Sequence, residues 1–224
     1  MTRYSILISL ILLVFSACKE KVSVDFGYEY FPMKEGHFVE YDVLEVYHDV
    51  NISPQHDSVR YRLKTKIGEE ILDNSGRLAR KFFQYKYDLI TGEMLEQRVW
   101  TRIIDEGRGE VVEENQRKIR MVFAVKKDVE WDVNAFNPEA QQTAFYSEVN
   151  VSRVINSFNF ESTAQVDYDD FFSLVDYRKM YEVYSKDVGL IKRSFKDLTI
   201  QNFDTLDVRK GTEVHYELVN FGQE

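Results

Sequence analysis

Cysteine is nearly absent from this chain: Cys18 is the only one among 224 residues. A single cysteine rules out an intramolecular disulfide, so a hydrophobic core must hold the folded part together. Beyond one short run near the N-terminus, no apolar stretch approaches the roughly 20 residues that a transmembrane helix needs. The sequence also has no GxSxG, P-loop or GxGxxG motif, so acyl and phosphoryl transfer have no support.

The apolar run near the N-terminus has the layout of a secretory signal. Arg3 supplies a positive charge, residues 6–15 are apolar but for one serine, and the small pair Ser16-Ala17 precedes Cys18. A charged start, a short apolar stretch and small residues are typical of a signal peptide. We therefore predict that residues 1–17 are a signal peptide.

The charge balance is acidic. The chain has 29 Lys and Arg against 38 Asp and Glu, a net charge of −9. Removal of residues 1–17 takes away one arginine and no acid, which leaves the mature part at −10. Such a surface repels nucleic-acid phosphates and anionic lipid head groups. Nucleic acid is not expected as a partner, and the acidic surface is interpreted as a source of solubility.

Alternation of apolar and polar residues predicts a mainly β fold. The clearest case is residues 59–67, where apolar residues and a threonine alternate with arginine and lysine. Similar runs recur along the chain and are separated by turn signals such as residues 73–76 and 105–109. The pattern predicts an antiparallel meander that forms either a curved sheet or half-barrel or two packed sheets. At most one or two short helices are expected in the mature part.

One segment has helical spacing instead. Tyr168, Phe171 and Phe172 fit one face of a helix, and Asp167 precedes them as a candidate N-cap. A single short helix is therefore predicted within residues 166–175.

Residues 15–18, Phe-Ser-Ala-Cys, resemble the lipobox of bacterial lipoproteins, although these usually carry Leu or Val where Phe15 stands. The resemblance implies cleavage before Cys18, attachment of lipid to that residue and anchoring to a membrane. Stable anchoring needs more than one acyl chain, which lipoprotein processing supplies. The expected organisation is a signal peptide at 1–17, a lipidated tether or linker at 18–36 and a single β-rich domain at 37–224.

Further segments resemble an uncharacterised family of β-rich Bacteroidetes lipoproteins. Residues 30–41 are similar to its YFPL…G…Y opening, residues 131–137 to its WdgNaFN segment and residues 181–191 to its YEvYAkgVGLV segment. Val133 and Asp187 stand where the family often has Gly, so different turns are expected there. The resemblance implies an exported lipoprotein of unknown activity with no catalytic residues to transfer.

The family resemblance also implies a place in the cell envelope. The protein is expected to be anchored to the outer membrane by lipid, on either its periplasmic face or the cell surface. Lys19-Glu20 match in part a surface-export signal of Bacteroidetes, an acidic stretch with lysine after the lipidated cysteine, but Lys21 interrupts it.

Trp131, Asn134, Phe136 and Asn137 form the candidate ligand-contacting loop. Two large aromatics and two asparagines in one polar segment fit either a loop that contacts a ligand or a structural loop. In the structural interpretation the aromatics plug the sheet and the asparagines bind local backbone groups. The structural interpretation is favoured.

The histidines and acidic residues do not have the spacing of a known metal-binding motif. His48 and His56 flank one polar loop and could meet there, but solvated loop histidines are the simpler interpretation. Asp167, Asp169 and Asp170 lack the glycine that an EF-hand loop requires. We therefore predict no metal, no cofactor and no catalytic residue.

Three functions compete at this point. The first is a non-enzymatic envelope lipoprotein that acts as a binding or accessory component for an envelope protein or an apolar ligand. The second is a carrier of lipid or another apolar ligand, which requires a dry aromatic cavity above roughly 300 Å³. The third is a hydrolase, which requires converging carboxylates with perturbed pKa values. The first is the one that the sequence favours.

Overall fold

The computed structural model describes residues 24–224, and Cys18 with the predicted signal peptide lies outside that range. Its regular structure is one 3₁₀ turn, Tyr28–Tyr30, followed by strands. The strands are β1 (His37–Asp49), β2 (His56–Leu72), β3 (Leu78–Tyr87), β4 (Met94–Asp105), β5 (Arg108–Glu113), β6 (Gln116–Val122), β7 (Glu130–Asp132), β8 (Thr143–Ile155), β9 (Phe158–Phe172), β10 (Asp176–Ser185), β11 (Gly189–Gln201) and β12 (Asp204–Gln223). Among the residues described, no helix is long and apolar enough to cross a membrane.

All twelve strands form one antiparallel sheet in the order β6-β5-β4-β3-β2-β1-β12-β11-β10-β9-β8-β7. Neighbours in the sheet are neighbours in sequence except at the centre, where β1 pairs with β12 and joins the two halves of the chain. The predicted mainly β meander is confirmed. Of the arrangements left open by the sequence, the strongly curved single sheet is the one formed.

The two edge strands, β6 and β7, approach each other and nearly close the sheet into a barrel-like shape. The amide of Ile119 donates to the Val133 carbonyl at 3.0 Å, and the Trp131 indole N–H donates to the Ile119 carbonyl at 3.1 Å. The Asn137 side chain donates to the Arg117 carbonyl at 2.8 Å. Open edge strands tend to pair with other chains, and these bonds give the edge groups partners within the molecule.

The alternation predicted for β2 is confirmed. Tyr61, Leu63, Thr65 and Ile67 are buried, and the basic residues between them face outward. Val59 is 42% exposed because it lies near the end of the strand, beyond the core. The buried apolar side chains form two main clusters. One is contributed by β5 to β10 together with Tyr30 and Phe31, and the other lies around the central strands.

The helix predicted within residues 166–175 is wrong. β9 continues to Phe172 and pairs with β10 up to that residue, while its pairing with β8 ends at Asp167, so the ladder with β10 holds this segment extended. Tyr168 faces the core at 6% exposure, whereas Phe171 and Phe172 are 41% and 52% exposed near the hairpin tip. The apparent helical spacing of Tyr168, Phe171 and Phe172 was misleading, because these aromatic residues do not share one buried face.

The chain before β1 closes one end of the curved sheet. Within the segment predicted as a tether, residues 18–36, Tyr30 and Phe31 are each only 1% exposed. A Cβ added to Gly109 of β5 would lie 3.1 Å from ring atoms of Phe31, so this glycine makes room for the ring. Tyr30 and Phe31 of the predicted tether are therefore packed into the core, whereas Lys34 and Glu35 are exposed.

Candidate functional site

The interior of the sheet contains a hydrogen-bonded cluster around Glu182 of β10. Glu182 is fully buried. Arg193 Nε donates to its Oε1 at 2.7 Å and the Tyr184 hydroxyl to its Oε2 at 2.5 Å, and the Tyr168 hydroxyl donates to the same oxygen. Alternation along β9, β10 and β11 brings these side chains to the inner face. Such donors stabilise a carboxylate that burial alone would neutralise.

A second ion pair lies across the same space, between Glu113 of β5 and Arg120 of β6. Arg120 is 8% exposed, and both residues line the interior cavity. Lys118 adds a weaker contact, with its Nζ 4.0 Å from the Glu113 carboxylate. The two interior acids, Glu182 and Glu113, are thus each paired with an arginine.

Arg102 of β4 is different because it forms no ion pair with any acid among the described residues. Among residues 24–224 the buried charged side chains are Arg102, Glu110, Arg120 and Glu182. The last three form ion pairs, whereas Arg102 Nε and Nη2 are buried without any hydrogen-bond partner among the described residues. The guanidinium carbon lies 3.5 Å from the centroid of the Phe31 ring and 5.3 Å from that of Phe82. The Arg102 guanidinium therefore packs against two aromatic rings, while two of its N–H-bearing nitrogens donate no hydrogen bond to the described residues.

Two adjoining cavities lie along the inner face. The deeper one, about 60 Å³, is lined by Arg102 and by Phe31 and Pro32. Phe31 and Pro32 belong to the segment before β1 that closes one end of the sheet, here called the plug. The outer one, about 210 Å³, is lined by Lys86, Glu96 and other residues of β1–β4. Four residues line both cavities and so connect them: Leu63, Gln84, Trp100 and Tyr216. Glu96 and Arg98 are exposed at the outer cavity, which marks it as the mouth.

Glu182, the two tyrosines that bind it and Arg102 have pKa values far from neutrality. Burial alone would raise the pKa of Glu182, but Arg193, Arg120 and the two tyrosine hydroxyls lower it to about 2. Burial and the Glu182 charge raise the pKa values of Tyr168 and Tyr184. Burial lowers the pKa of Arg102 to about 10, which still leaves it charged at neutral pH. These groups suit the fixation of charge better than proton transfer, which is most efficient with a pKa near the working pH.

Each residue of the candidate ligand-contacting loop has a partner within the molecule. Trp131 is 9% exposed and lies 4.8 Å, between ring centroids, from Tyr146 in the core. Asn134 Nδ2 donates to the Ala140 carbonyl at 2.7 Å, and Asn137 binds the backbone of β6. These contacts agree with the favoured structural interpretation, and contact with a ligand stays a prediction.

Phe136, the fourth residue of that loop, covers an ion cluster on the outer face. Glu110 is fully buried there, with Arg117 Nε 2.5 Å and Arg108 Nε 3.2 Å from its carboxylate oxygens. The Arg117 guanidinium lies 4.1 Å from the Phe136 ring centroid. Phe136 remains 44% exposed and does not line either interior cavity.

The residues considered for metal binding are placed as follows. Nδ1 of His48 and Nδ1 of His56 lie 2.8 Å apart, so the two histidines do meet. Asp169 and Asp170 form ion pairs with Arg178 and Lys179 of β10. Within residues 24–224 no group of three or more His, Cys, Asp or Glu side chains is arranged to hold a metal ion. Cys18, the predicted lipid-attachment residue, lies outside the described residues.

The interior site was not found from the sequence. Arg98 and Arg102 alternate with Leu95 and Val99 along β4, and the pattern gives two faces without saying which is inside. The structure turns the charged face inward, and Leu95 and Val99 are 56% and 50% exposed. A polar face enclosed by a curved sheet gives the same alternation as a solvated one, so no signal in this strand identifies Arg102.

No protein-family model matches this chain, and no curated protein matches it. Solved structures that resemble it include a Bacteroides fragilis protein assigned as exported, with a YmcC-like fold, at 9% identity and a TM-score of 0.44. That likeness covers 90% of this chain and all of the other. A protein of Parabacteroides distasonis assigned as a lipoprotein is 13% identical, with a TM-score of 0.41 over 88% of this chain and all of the other. At these identities and TM-scores neither likeness carries an argument about function.

Proposed function

We propose that this protein is a non-enzymatic lipoprotein of a bacterial envelope, held by lipid on Cys18, which acts by binding a ligand inside its curved sheet. The observation that carries the proposal is that the two ends of the curved sheet differ: one is closed and the other is open. One end is closed by Tyr30 and Phe31, next to the point from which the chain leads back to Cys18. The mouth at Glu96 and Arg98 lies towards the other end.

Strand geometry supports this orientation. Phe31 and His37 line the deep cavity, and Glu45 of the same strand β1 lines the mouth. From His37 to Glu45 the strand advances roughly 25 Å at about 3.3 Å per residue. Cys18 precedes Val24, the first described residue, by so few residues that the extended chain reaches at most about 20 Å. An acylated Cys18 would therefore hold the closed end at the membrane and leave the mouth facing away from it.

Binding is favoured over catalysis by the state of the buried acids. Glu182 is kept ionised with a pKa of about 2. The pKa of Glu113 is also low, because the charge of Arg120 and its hydrogen bond outweigh the effect of burial. A hydrolase would need a carboxylic acid that carries a proton near neutral pH. Each acid is instead engaged by an arginine, an arrangement that fixes charges in place.

A carrier of a bulky apolar ligand is the weaker alternative. The deep cavity measures about 60 Å³ and the mouth cavity about 210 Å³, each below the roughly 300 Å³ that small-molecule pockets occupy. Lys86, Glu96 and Arg98 at the mouth give it a polar character. A small polar ligand suits this space better than a lipid chain. The outer membrane, on either face, remains the proposed site of anchoring.

The anchor is tested by expressing the full chain with its N-terminal segment in a Gram-negative host and analysing the purified product by mass spectrometry. The expected result is loss of residues 1–17 and a mass increase from acyl chains on Cys18, with the protein in the outer-membrane fraction. Cys18→Ser should abolish acylation and release the protein from membranes, whereas the matched control Ser23→Ala should leave both unchanged. An unmodified Cys18 in the wild-type product would refute the lipoprotein proposal.

A further inference from the structure

Arg102 is a buried charged group of the interior whose Nε and Nη2 have no hydrogen-bond partner among residues 24–224. The walls of the deep cavity carry Arg102, Arg120 and Arg193; Glu113 pairs with Arg120 and Glu182 with Arg193. Three guanidinium groups thus face two carboxylates. The remaining positive charge belongs to Arg102, because the other two arginines are paired. A buried charge without a partner is unfavourable, so this site suits a negative charge that residues 24–224 do not supply.

No other residue of the described lining supplies that charge. His37 also lines it, but its Nε2 lies 3.0 Å from the Val188 carbonyl, and a histidine provides no negative charge. Tyr41 donates its hydroxyl to the Leu190 carbonyl at 2.7 Å. Tyr184 is engaged by Glu182 at 2.5 Å. We therefore expect the negative charge that pairs with the Arg102 guanidinium to come from a ligand.

The geometry selects the chemical class of that ligand. Stacking on Phe31 fixes the plane of the guanidinium and leaves Nε and Nη2, which form one edge of the planar fork, free of protein acceptors. Such an edge matches the two oxygens of a carboxylate in a bidentate arrangement. A single unmatched positive charge favours a monoanion over a dianion such as phosphate. The small volume beside Arg102 admits a compact head group.

The adjoining cavity defines the rest of the ligand. Phe82 and Trp100, 6.5 Å apart between ring centroids, stand on the wall between Arg102 and the mouth. Leu63 and Tyr216 line the opposite part of the passage, and Gln84 offers a hydrogen-bonding side chain. We propose that Arg102 binds the carboxylate of a small organic acid whose compact apolar or aromatic body lies against Phe82 and Trp100. This inference rests on the proposed binding function and names its ligand class.

The first test compares charged and neutral probes on the wild-type, detergent-extracted lipoprotein. Benzoate, phenylacetate and hexanoate should raise the melting temperature and give saturable heats in calorimetry at up to millimolar concentration. Benzamide, which has the same ring without the charge, and inorganic phosphate should do neither. If no carboxylate binds, or if benzamide binds as well as benzoate, the proposal is overturned.

The second test uses variants. Arg102→Met should weaken carboxylate binding by at least about tenfold. It should also raise the melting temperature of the protein without probe, because an unmatched buried charge is removed. Arg62→Met, on the outer face where Arg62 Nε lies 2.8 Å from Asp42, is the matched control and should leave carboxylate binding unchanged. If Arg102→Met lowers the melting temperature and leaves carboxylate binding intact, Arg102 is a structural cation and the proposal fails.

Further controls keep the result interpretable. Arg102→Lys keeps the charge and loses the fork, so it should bind carboxylates more weakly than wild type, and it decides the matter if Arg102→Met does not fold. The mass of Cys18 is measured on the same material. If the protein is lipidated but does not bind carboxylates, only the proposed Arg102 site is overturned. If it binds carboxylates but carries no lipid, only the proposed anchor is overturned.

Discussion

The Arg102 guanidinium and the Phe31 ring are stacked, with the guanidinium carbon 3.5 Å from the ring centroid. The contact joins strand β4 to the segment that precedes β1, so the plug that closes one end of the sheet also positions the unpaired charge. Cation–π contacts of this kind contribute more when they are removed from water. The plug is therefore part of the candidate site as well as of the core.

Phe31→Ala should destabilise the protein by about 3–5 kcal/mol, the usual cost of truncating a buried phenylalanine. Phe31 is 1% exposed and packs on Arg102 and Gly109, so little of the resulting space can be filled. Urea unfolding followed by circular dichroism measures the loss. Phe26→Ala is the control, since Phe26 is 48% exposed, and it should change stability by no more than about 0.5 kcal/mol. Equal effects would mean that the plug does not contribute to the core.

Glu182→Gln should cost about 3–5 kcal/mol, because it leaves Arg193 as a buried charge with no carboxylate. The same urea unfolding measures it, with Glu96→Gln at the exposed mouth as a control that should be nearly neutral. Adding Arg193→Met to Glu182→Gln should recover part of the lost stability, since both charges are then absent. If the double variant is less stable than the single one by the full cost of a second core substitution, the two residues are not coupled.

Acid should destabilise the protein through Glu182. Its pKa is 4.5 as an ordinary glutamate and about 2 in the folded protein. Because the folded-state pKa is the lower one, the stabilisation is fully present above the ordinary value and is lost as the pH falls towards 2. The contribution is on the order of 3 kcal/mol at neutral pH. Unfolding free energies measured across this range should fall with acidification, and Glu182→Gln should show a flatter profile; parallel profiles would contradict this assignment.

Gly36→Ala should be more destabilising than Gly76→Ala, although both glycines have positive φ, +81° and +75°. At Gly76 a Cβ meets nothing within 4 Å, so that substitution isolates the conformational penalty of roughly 1–2 kcal/mol. At Gly36 a Cβ would lie 2.1 Å from the carbonyl oxygen of Glu224, whose amide donates to Gly36 at 2.9 Å. Thermal unfolding of the two variants measures the difference. Equal losses would show that the C-terminal residue does not hold this position.

The fold class followed from the sequence because the signal was local. Alternation along β2 and turn residues such as Gly76 specify strands and hairpins without knowledge of distant contacts. The closing contacts were not accessible in this way. The bond from Trp131 to Ile119 joins two edge strands, and no periodicity relates them. The same holds for the helix wrongly predicted around Tyr168, where pairing of β9 with β10 outweighed the spacing of aromatics.

The site was less predictable than the fold. Arg102, Glu113 and Glu182 lie on three strands, and each looks like the solvated face of its strand when that strand is considered alone. Only the curvature of the complete sheet encloses them. The loop around Trp131 that the sequence favoured as a candidate does not line the interior cavities, and its contact with a ligand stays a prediction.

Trp131→Phe should separate the structural interpretation of that loop from the ligand-contacting one. It keeps an aromatic ring against Tyr146 and removes the indole N–H that donates to Ile119 at 3.1 Å, so it should cost about 1–3 kcal/mol by leaving a buried acceptor without its donor. Hydrogen exchange should accelerate at the Ile119 amide, which bonds to Val133 across the closure. Carboxylate binding at Arg102 should be unchanged, because Trp131 lines neither interior cavity. A variant that keeps wild-type stability and exchange but loses ligand binding would instead make Trp131 a contact residue.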